Sequence, residues 1–577
     1  MSDFDDEKQK KQLEDLRRQE EEELIASLSE SEFGIPYIDL YHQIVENEAL
    51  RIIPEEEARS LKIAPFRISG KNALIAVRSP QPELLEKIKE EVATKGYAAS
   101  FYMASEASLR KVWDRYVELS MAETSRVGGV EISATVLRGI AENISGMKDI
   151  GRVIDEAVGS KESHKISRIL EVILAGAIAL KASDVHVEPE KESARVRLRL
   201  DGVLYDVAHL PLDVYHLLNS RVKLLSGMKL TGKISQDGRF SIIEGKDEIN
   251  IRSSMIPGSY GEAIVMRILD PKSIQVPFEE LGIPRSLLQI VEEEIKKPNG
   301  MILLTGPTGS GKTTTLYAIL KKIYSPEINI ITIEDPVEYH IPGITQTQVA
   351  QVQITEDKRA AHLKTYNFLE GLRSALRQDP DVIMIGEIRD SETAKTAVQS
   401  ALTGHLVLST LHTNNAAGVI PRLIDLEVNP KIMASALTLS MAQRLVRRLC
   451  QFCKVEKSAD PETEETINNT LENMERVGKN PKEYGVAKRE ANLKIFFPVG
   501  CNRCNETGYS GRIGVFEAIK TNATIEKIIP ENPSEREIKM AAENQKILTM
   551  REDGIVKVLT GVTSVAELSN VVDLSSE

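Results

Sequence analysis

Gly306, Pro307, Thr308, Gly309, Ser310, Gly311, Lys312 and Thr313 follow the apolar run MILLT and open onto TTLYAILKKI. Glycines at these positions let backbone N–H groups close around phosphate oxygens, and a helix starting at the loop adds partial positive charge. Lys312 is placed to reach the β- and γ-phosphates and the Thr313 hydroxyl to ligate Mg²⁺, so these residues, with Thr314, form a candidate triphosphate-binding loop. Glu334-Asp335-Pro336-Val337-Glu338 follows INIITI. A nucleoside triphosphatase needs a carboxylate to orient the attacking water, and this cluster can supply one, with Glu334 and Asp335 on the nucleotide side; a solvated acidic loop is the alternative. Glu387 ends the run VIMIG and would bind Mg²⁺ directly or through water. His405 and His412 bracket LVLSTL, as hydrogen-bonded core histidines or as sensors of the γ-phosphate.

The four cysteines form two C-x-x-C pairs, Cys450/Cys453 and Cys501/Cys504. Two such knuckles suit a tetrahedral Zn²⁺ site, and four thiolates leave no open position, so the role is structural rather than catalytic. Redox dithiols are the rival reading, although neither pair opens a helix in a thioredoxin-like βαβ setting.

These motifs need elements to hold them. MILLT, INIITI, VIMIG and LVLSTL are near-continuous apolar runs separated by helical stretches, the pattern of a mostly parallel sheet buried on both faces. In such sheets ligands gather at the carboxyl ends of strands, where the motifs fall. Residues 163–276 begin with an amphipathic helix (Ile166, Ile169, Leu170, Ile173). They continue into DVHVEP, ARVRLRLDG, EINIRSSM and EAIVMRIL, whose alternation implies a sheet with one buried face. Residues 31–118 read as a small α/β domain, 119–162 as a linker with some helix, and 1–30 as a charged helical tail with a solvated face.

At 577 residues the chain exceeds what one core supports, so several domains are expected. Val172–Leu180 is nine apolar residues, about half of the ~20 needed to span a bilayer, and reads as a buried helix segment. SDFDDEKQKKQ after Met1 has no basic region followed by an apolar stretch, so a cytoplasmic protein is expected. The net charge of −13 argues against the broad basic surface that binds nucleic acid.

The motifs together resemble the type II secretion and type IV pilus assembly ATPases, the GspE/PilB group of the secretion ATPase superfamily. ASDVHVEP, LRLDGVL, QDGRF, GPTGSGKTTTLYA, ITIEDPVEY, GLRSALRQDPDVIMIGEIRD, TGHLVLSTLHTN, AQRLVRRLC, GYSGRIGVFE and TMREDGIVKVLTG carry the likeness over residues 163–577, and more weakly over 33–118. The resemblance implies an α/β multi-domain chain: an N-terminal docking domain, a PAS-like α+β second domain at 163–276, and a RecA-like P-loop motor at 277–577. The motor would contain a tetracysteine zinc subdomain at 447–508 and a helical part at 509–577. Six subunits would close a ring that binds ATP and Mg²⁺ between the last two domains and drives pilin or pseudopilin polymerisation. Its implied partners are a polytopic inner-membrane platform protein and a cytoplasmic docking protein, at the inner face of the membrane.

By the same resemblance Glu338 polarises water, Glu387 stands in the Walker B strand, and His405 and His412 lie near the histidine box. Arg239 and Arg252 resemble the family's arginines that reach the phosphates; read from charge alone they are surface salt-bridge residues. The tetracysteine insert and the long N-terminal region point to the assembly branch rather than the retraction branch. Residues 353–363 look longer and more charged than the family pattern. The N-terminal region lacks the RLG-type pattern of members that bind cyclic di-GMP, and that ligand is not expected. A DNA-uptake motor with a zinc module and an inactive nucleotide-binding scaffold are the competing readings.

Overall fold

The computed structural model describes residues 33–575 apart from 41, 42, 44, 51, 71, 124–128, 131–138, 140–143, 145, 161–164, 231–233, 245, 246, 271–274, 350–365 and 487–492, with a few positions between 22 and 29. The charged tail and the insertion at 353–363 therefore fall largely or wholly outside the described residues. The chain divides into two compact units, 1–131 and 132–577.

In the first unit, Ile63–Ser69 pairs antiparallel with Asn72–Val77, which pairs parallel with Ala98–Met103. A parallel neighbour requires a crossover, and the helix Pro82–Thr94 supplies it. Ile63, Phe66, Ile75, Val77, Ile88, Val92, Leu109 and Val112 build the core. Two of its aromatic members place their polar tips on carbonyls: Trp113 Nε1 donates to Ile63 O at 2.8 Å, and the Tyr116 hydroxyl to Ile53 O at 2.8 Å.

The second unit holds two large sheets. In the first, antiparallel strands lie in the order Gln236–Glu244, Asp247–Gly258, Gly261–Leu269, Asp184–Pro189, Ser193–Leu200, Val203–Pro211. Burial along Ser193–Leu200 alternates residue by residue, as the sequence pattern requires of a sheet with one covered face. The helix Lys165–Ala179 contains the apolar stretch after Glu171, with Val172, Ile173, Leu174 and Ala177 buried. Among the described residues no helix is long and apolar enough to cross a membrane. Within the stretch read as a linker with some helix, Met147–Gly159 is a helix with Ile150 and Ile154 buried. It approaches Gly176 so closely that a Cβ there would lie 2.6 Å from Ile150 Cδ1.

The second sheet is the motor core. Thr345–Gln348, Ile330–Glu334, Val382–Ile385, Leu406–Leu411, Gly300–Thr305 and Leu437–Leu449 are parallel neighbours in that order, and Tyr509–Lys520 closes the row antiparallel. Every residue of the four runs around MILLT, IITIE, VIMI and LVLSTL is buried, which explains why they do not alternate.

Hydrogen bonds run between the two sheet regions. Gly511 N donates to Asp201 Oδ2 at 2.8 Å, and Arg447 Nη1 donates to the Tyr205 hydroxyl at 3.3 Å.

The C-terminal helix Met550–Leu559 is anchored by charge as well as by apolar packing. Asp553, 2% exposed, accepts from Phe516 N at 2.8 Å and pairs with Lys557, 7% exposed, one turn on. Removing one partner of such a pair leaves a buried charge uncompensated. Lys557→Met should lower the motor's thermal transition by roughly 10 °C, equivalent to about 3–5 kcal/mol, and Asp553→Leu/Lys557→Met should recover most of it. Calorimetry showing no shift for the single variant would contradict this role.

Candidate active site and tetracysteine cluster

The phosphate-binding loop is shaped by what lies beneath it. Gly306 (φ 146°) and Gly311 (φ 89°) adopt conformations that side chains resist. A Cβ at Gly306 would stand 2.5 Å from Gln443 O, and one at Gly311 2.7 Å from Gln443 Nε2. Gln443 in turn accepts from the Thr315 hydroxyl at 2.8 Å, so the neighbouring strand braces the loop from below. Gln443 gave no signal in the sequence, because its role rests on a contact across 128 residues.

The helix Lys312–Ile323 starts at the loop, with Pro307, Thr308, Gly309 and Thr313 exposed at its mouth, Thr314 half-buried and Ser310 buried. Lys312 Nζ donates to Gly306 O at 2.7 Å and Pro307 O at 3.0 Å, leaving one of its three donors. Burial pulls the ammonium down from its ordinary range and Glu387 opposes that shift.

Because the strands are parallel, the loops after 305, 334, 385 and 411 emerge at one edge. Glu387 there pairs with Arg389 and lies 3.2 Å from His412 Nε2. Thr410 Oγ1 donates to Gly386 O at 2.7 Å and holds the segment. Of the two readings of His405, its contacts are those of a hydrogen-bonded histidine rather than a γ-phosphate sensor. It precedes Leu406–Leu411 rather than following it, its carbonyl accepts from Gly300 N, and its Nδ1 bonds Ser400 O at 3.0 Å. A six-residue strand separates it from His412 by about 20 Å, so it cannot touch a nucleotide at the phosphate-binding loop.

Glu334 is a correction. At 3% exposure it points into the interior rather than toward the loop, accepting from Thr332 Oγ1, Gln346 Nε2 and the Tyr317 hydroxyl. Asp335 follows it at the turn. Glu338, half-buried, faces the other sheet: Arg252 Nη2 lies 3.7 Å from its Oε2 and donates to Val337 O at 3.1 Å.

Arg239 stands directly opposite Arg252 on the adjacent strand and is exposed. The same rung continues through Arg267, Asp184 and Arg199. Like charges directly opposite destabilise a ladder, so Arg239, Arg252 and Arg267 repel one another along this rung. Asp184, 5% exposed, offsets the row by accepting from Arg267 Nε at 3.0 Å, with Arg199 Nε at 3.4 Å.

The four cysteines converge. Cys450 and Cys501 Sγ are 3.9 Å apart, Cys453 and Cys504 3.8 Å, and Cys501 and Cys504 3.8 Å, with all four within 4.8 Å. Tetrahedral Zn–S bonds of about 2.3 Å place sulfurs about 3.8 Å apart, so the spacing fits such an ion. Backbone N–H groups of Cys501 and Gly508 point at Cys504 Sγ, as donors to a thiolate do. Burial pulls the Cys504 thiol up, but these donors outweigh it and bring it down to about 7.

A phosphate-binding loop, the acid Glu387 and the acidic turn after Glu334 at one edge of a parallel sheet, faced by Arg252 from a second sheet, define a P-loop nucleoside triphosphatase. Residues 159–570 match the family model described as Type II/IV secretion system protein, and the chain belongs to that family of secretion ATPases. Residues 33–123 match the MshEN domain. The chain is 35% identical over 551 residues to the type IV pilus assembly ATPase PilB of Myxococcus xanthus, covering 95% of this chain and 91% of that protein. It is 38% identical over 466 residues to type II secretion system protein E of Aeromonas hydrophila, covering 79% and 86%. Among solved structures, the ATPase DotB of Legionella pneumophila aligns at 20% identity and a TM-score of 0.48, over 72% of this chain and 98% of that one.

The interior position of Glu334 has a measurable signature. Burial raises its carboxyl above the ordinary range, against donors from Thr332, Tyr317 and Gln346 that lower it. A raised acid contributes stability that is full below its unfolded pKa and is lost as pH rises through the folded value. Glu334→Gln should therefore melt above wild type at pH 8 and level with it near pH 4, as read by thermal denaturation. A constant difference across that range would contradict the assignment.

Proposed function

We propose that this chain is a cytoplasmic, hexameric ATPase that couples ATP hydrolysis to pilin or pseudopilin polymerisation through a polytopic inner-membrane platform protein. The observation that carries the reading is Arg252 lying against Glu338 and the Val337 carbonyl, in a turn at the same sheet edge as the phosphate-binding loop. An arginine on one sheet and the candidate water-polarising carboxylate on the other thus lie against each other. Family membership and the named pilus-assembly and secretion relatives support the machine to which the activity belongs.

In this mechanism the backbone N–H groups from Gly306 to Thr313 cradle the phosphates, and Lys312 turns from the loop carbonyls to the β- and γ-oxygens. Thr313 and Glu387 would hold Mg²⁺, which supplies charge neutralisation on the phosphate oxygens. Glu338 orients the attacking water as its general base, and His412 holds Glu387 in place. Arg239 and Arg252 bind the γ-phosphate while it is present and stabilise charge in the transition state, a role worth about 10³ to 10⁵ in rate for arginine fingers. Loss of the γ-phosphate removes contacts made in only one arrangement of the two sheets, and only such differential affinity can drive movement between them. Passed around a ring, that movement would turn or lift the platform protein. The region 31–118 would dock a cytoplasmic partner. The four cysteines would hold a structural Zn²⁺ that closes the end of the Leu437–Leu449 strand.

Purified protein should hydrolyse ATP, with Lys312→Ala abolishing turnover and Glu338→Gln lowering kcat by about 10² to 10⁴. Wild-type turnover in Lys312→Ala would refute the reading. Mass spectrometry of the intact chain should find one zinc ion, lost in Cys450→Ser/Cys453→Ser together with a fall in thermal stability; a zinc-free chain of unchanged stability would refute the structural metal.

A further inference from the structure

Beneath the phosphate-binding loop lies a buried polar cluster that nucleotide contact does not account for. Its centre is Tyr317, fully buried on the helix Lys312–Ile323 and four residues beyond Thr313, hence on the same helix face one turn on. Its hydroxyl donates to the Glu334 carboxylate. It also accepts from Glu338 N at 3.3 Å and from Gln346 Nε2 at 3.3 Å, so its single donor and both acceptor sites are occupied.

Gln346 completes the arrangement, donating to Glu334 Oε1 at 3.2 Å and to Tyr339 O at 3.1 Å while accepting from Ile341 N at 2.6 Å. The Tyr339 ring stands edge-on to Tyr317, centroids 4.8 Å apart, with Lys321 Nζ over its far face at 5.0 Å. The turn from Asp335 to Ile341 is thus fastened to the loop helix through one phenol. Burial, reinforced by Glu334, keeps that phenol protonated far above the ordinary range and so able to donate.

We propose that Tyr317, oriented by Glu334, is the positioning residue that fixes the Glu338 backbone to the helix bearing Lys312 and Thr313, and so sets where the attacking water sits relative to the γ-phosphate. This rests on the reading of Glu338 as the residue that polarises water. The hydroxyl reaches the backbone of Glu338 and not the nucleotide, so it acts on the chemical step and not on substrate binding. Misplacing a reacting group by about 1 Å costs on the order of 10²-fold in rate, and one deleted positioning bond takes part of that.

The test is steady-state and single-turnover ATP hydrolysis by the full-length chain, with binding of a non-hydrolysable ATP analogue measured in parallel. Tyr317→Phe should lower kcat about ten-fold while leaving KM and analogue affinity within about two-fold. Glu334→Gln keeps an acceptor for the phenol and should retain kcat within about two-fold, whereas Glu334→Leu should fall as Tyr317→Phe does. In a Glu338→Gln background, Tyr317→Phe should cause no further loss, because both changes act on one step. Wild-type kcat in Tyr317→Phe, or a kcat loss matched by loss of analogue binding, overturns the inference. Wild-type kcat in Glu338→Gln alone overturns instead the reading on which it rests.

Discussion

The parallel pairing of the motor strands is the constraint on which the rest depends. Parallel strands share one polarity, so the loops that follow Thr305, Glu334, Ile385 and Leu411 must emerge at the same edge. Every residue in these strands is buried, so they are held on both faces. A phosphate loop, a Walker B acid and a histidine are thereby held together without any of them being near another in sequence.

That edge is shared between two sheets of different kinds. Among the described residues the antiparallel sheet meets the motor through polar contacts that include Asp201 with Gly511, Tyr205 with Arg447, and Arg252 with the Glu338 turn. Each is a partly exposed hydrogen bond or ion pair, worth little in isolation and readily exchanged. Weak fastening suits a junction that a ligand is proposed to reset. The row Arg239, Arg252, Arg267 adds a standing repulsion that an anion would relieve.

Much of this was legible in the sequence for stated physical reasons. The loop motif is local, the four apolar runs have the composition of doubly buried strands, and two C-x-x-C knuckles have a chemistry that outweighs the distance between them. The alternating residues of Ser193–Leu200 likewise named their own buried face. What failed was direction. His405 and His412 look equivalent on either side of LVLSTL, yet strand polarity sends one to each end of the sheet. Glu334 and Glu338 look alike in one acidic cluster, yet the first is still in the strand and faces inward while the second lies beyond it. Tyr317 and Gln346 were invisible because an aromatic in a helix and an amide in a polar stretch carry no signal until the turn at 335–341 is packed against them. Gln443 was hidden for the same reason, since its contact with the loop crosses the sheet.

In the proposed mechanism a triphosphate binds between the two sheets, and its γ-phosphate holds them in one arrangement through Arg252 and Arg239. The most direct measurement is a spin-label or fluorescence distance between the strand Asp247–Gly258 and the motor helix Ser391–Leu402 in the assembled protein. The distance distribution should differ between a non-hydrolysable ATP analogue and ADP, and that difference should vanish in Arg239→Ala/Arg252→Ala while the analogue still binds. Identical distributions with both nucleotides in the wild-type protein would contradict the claim.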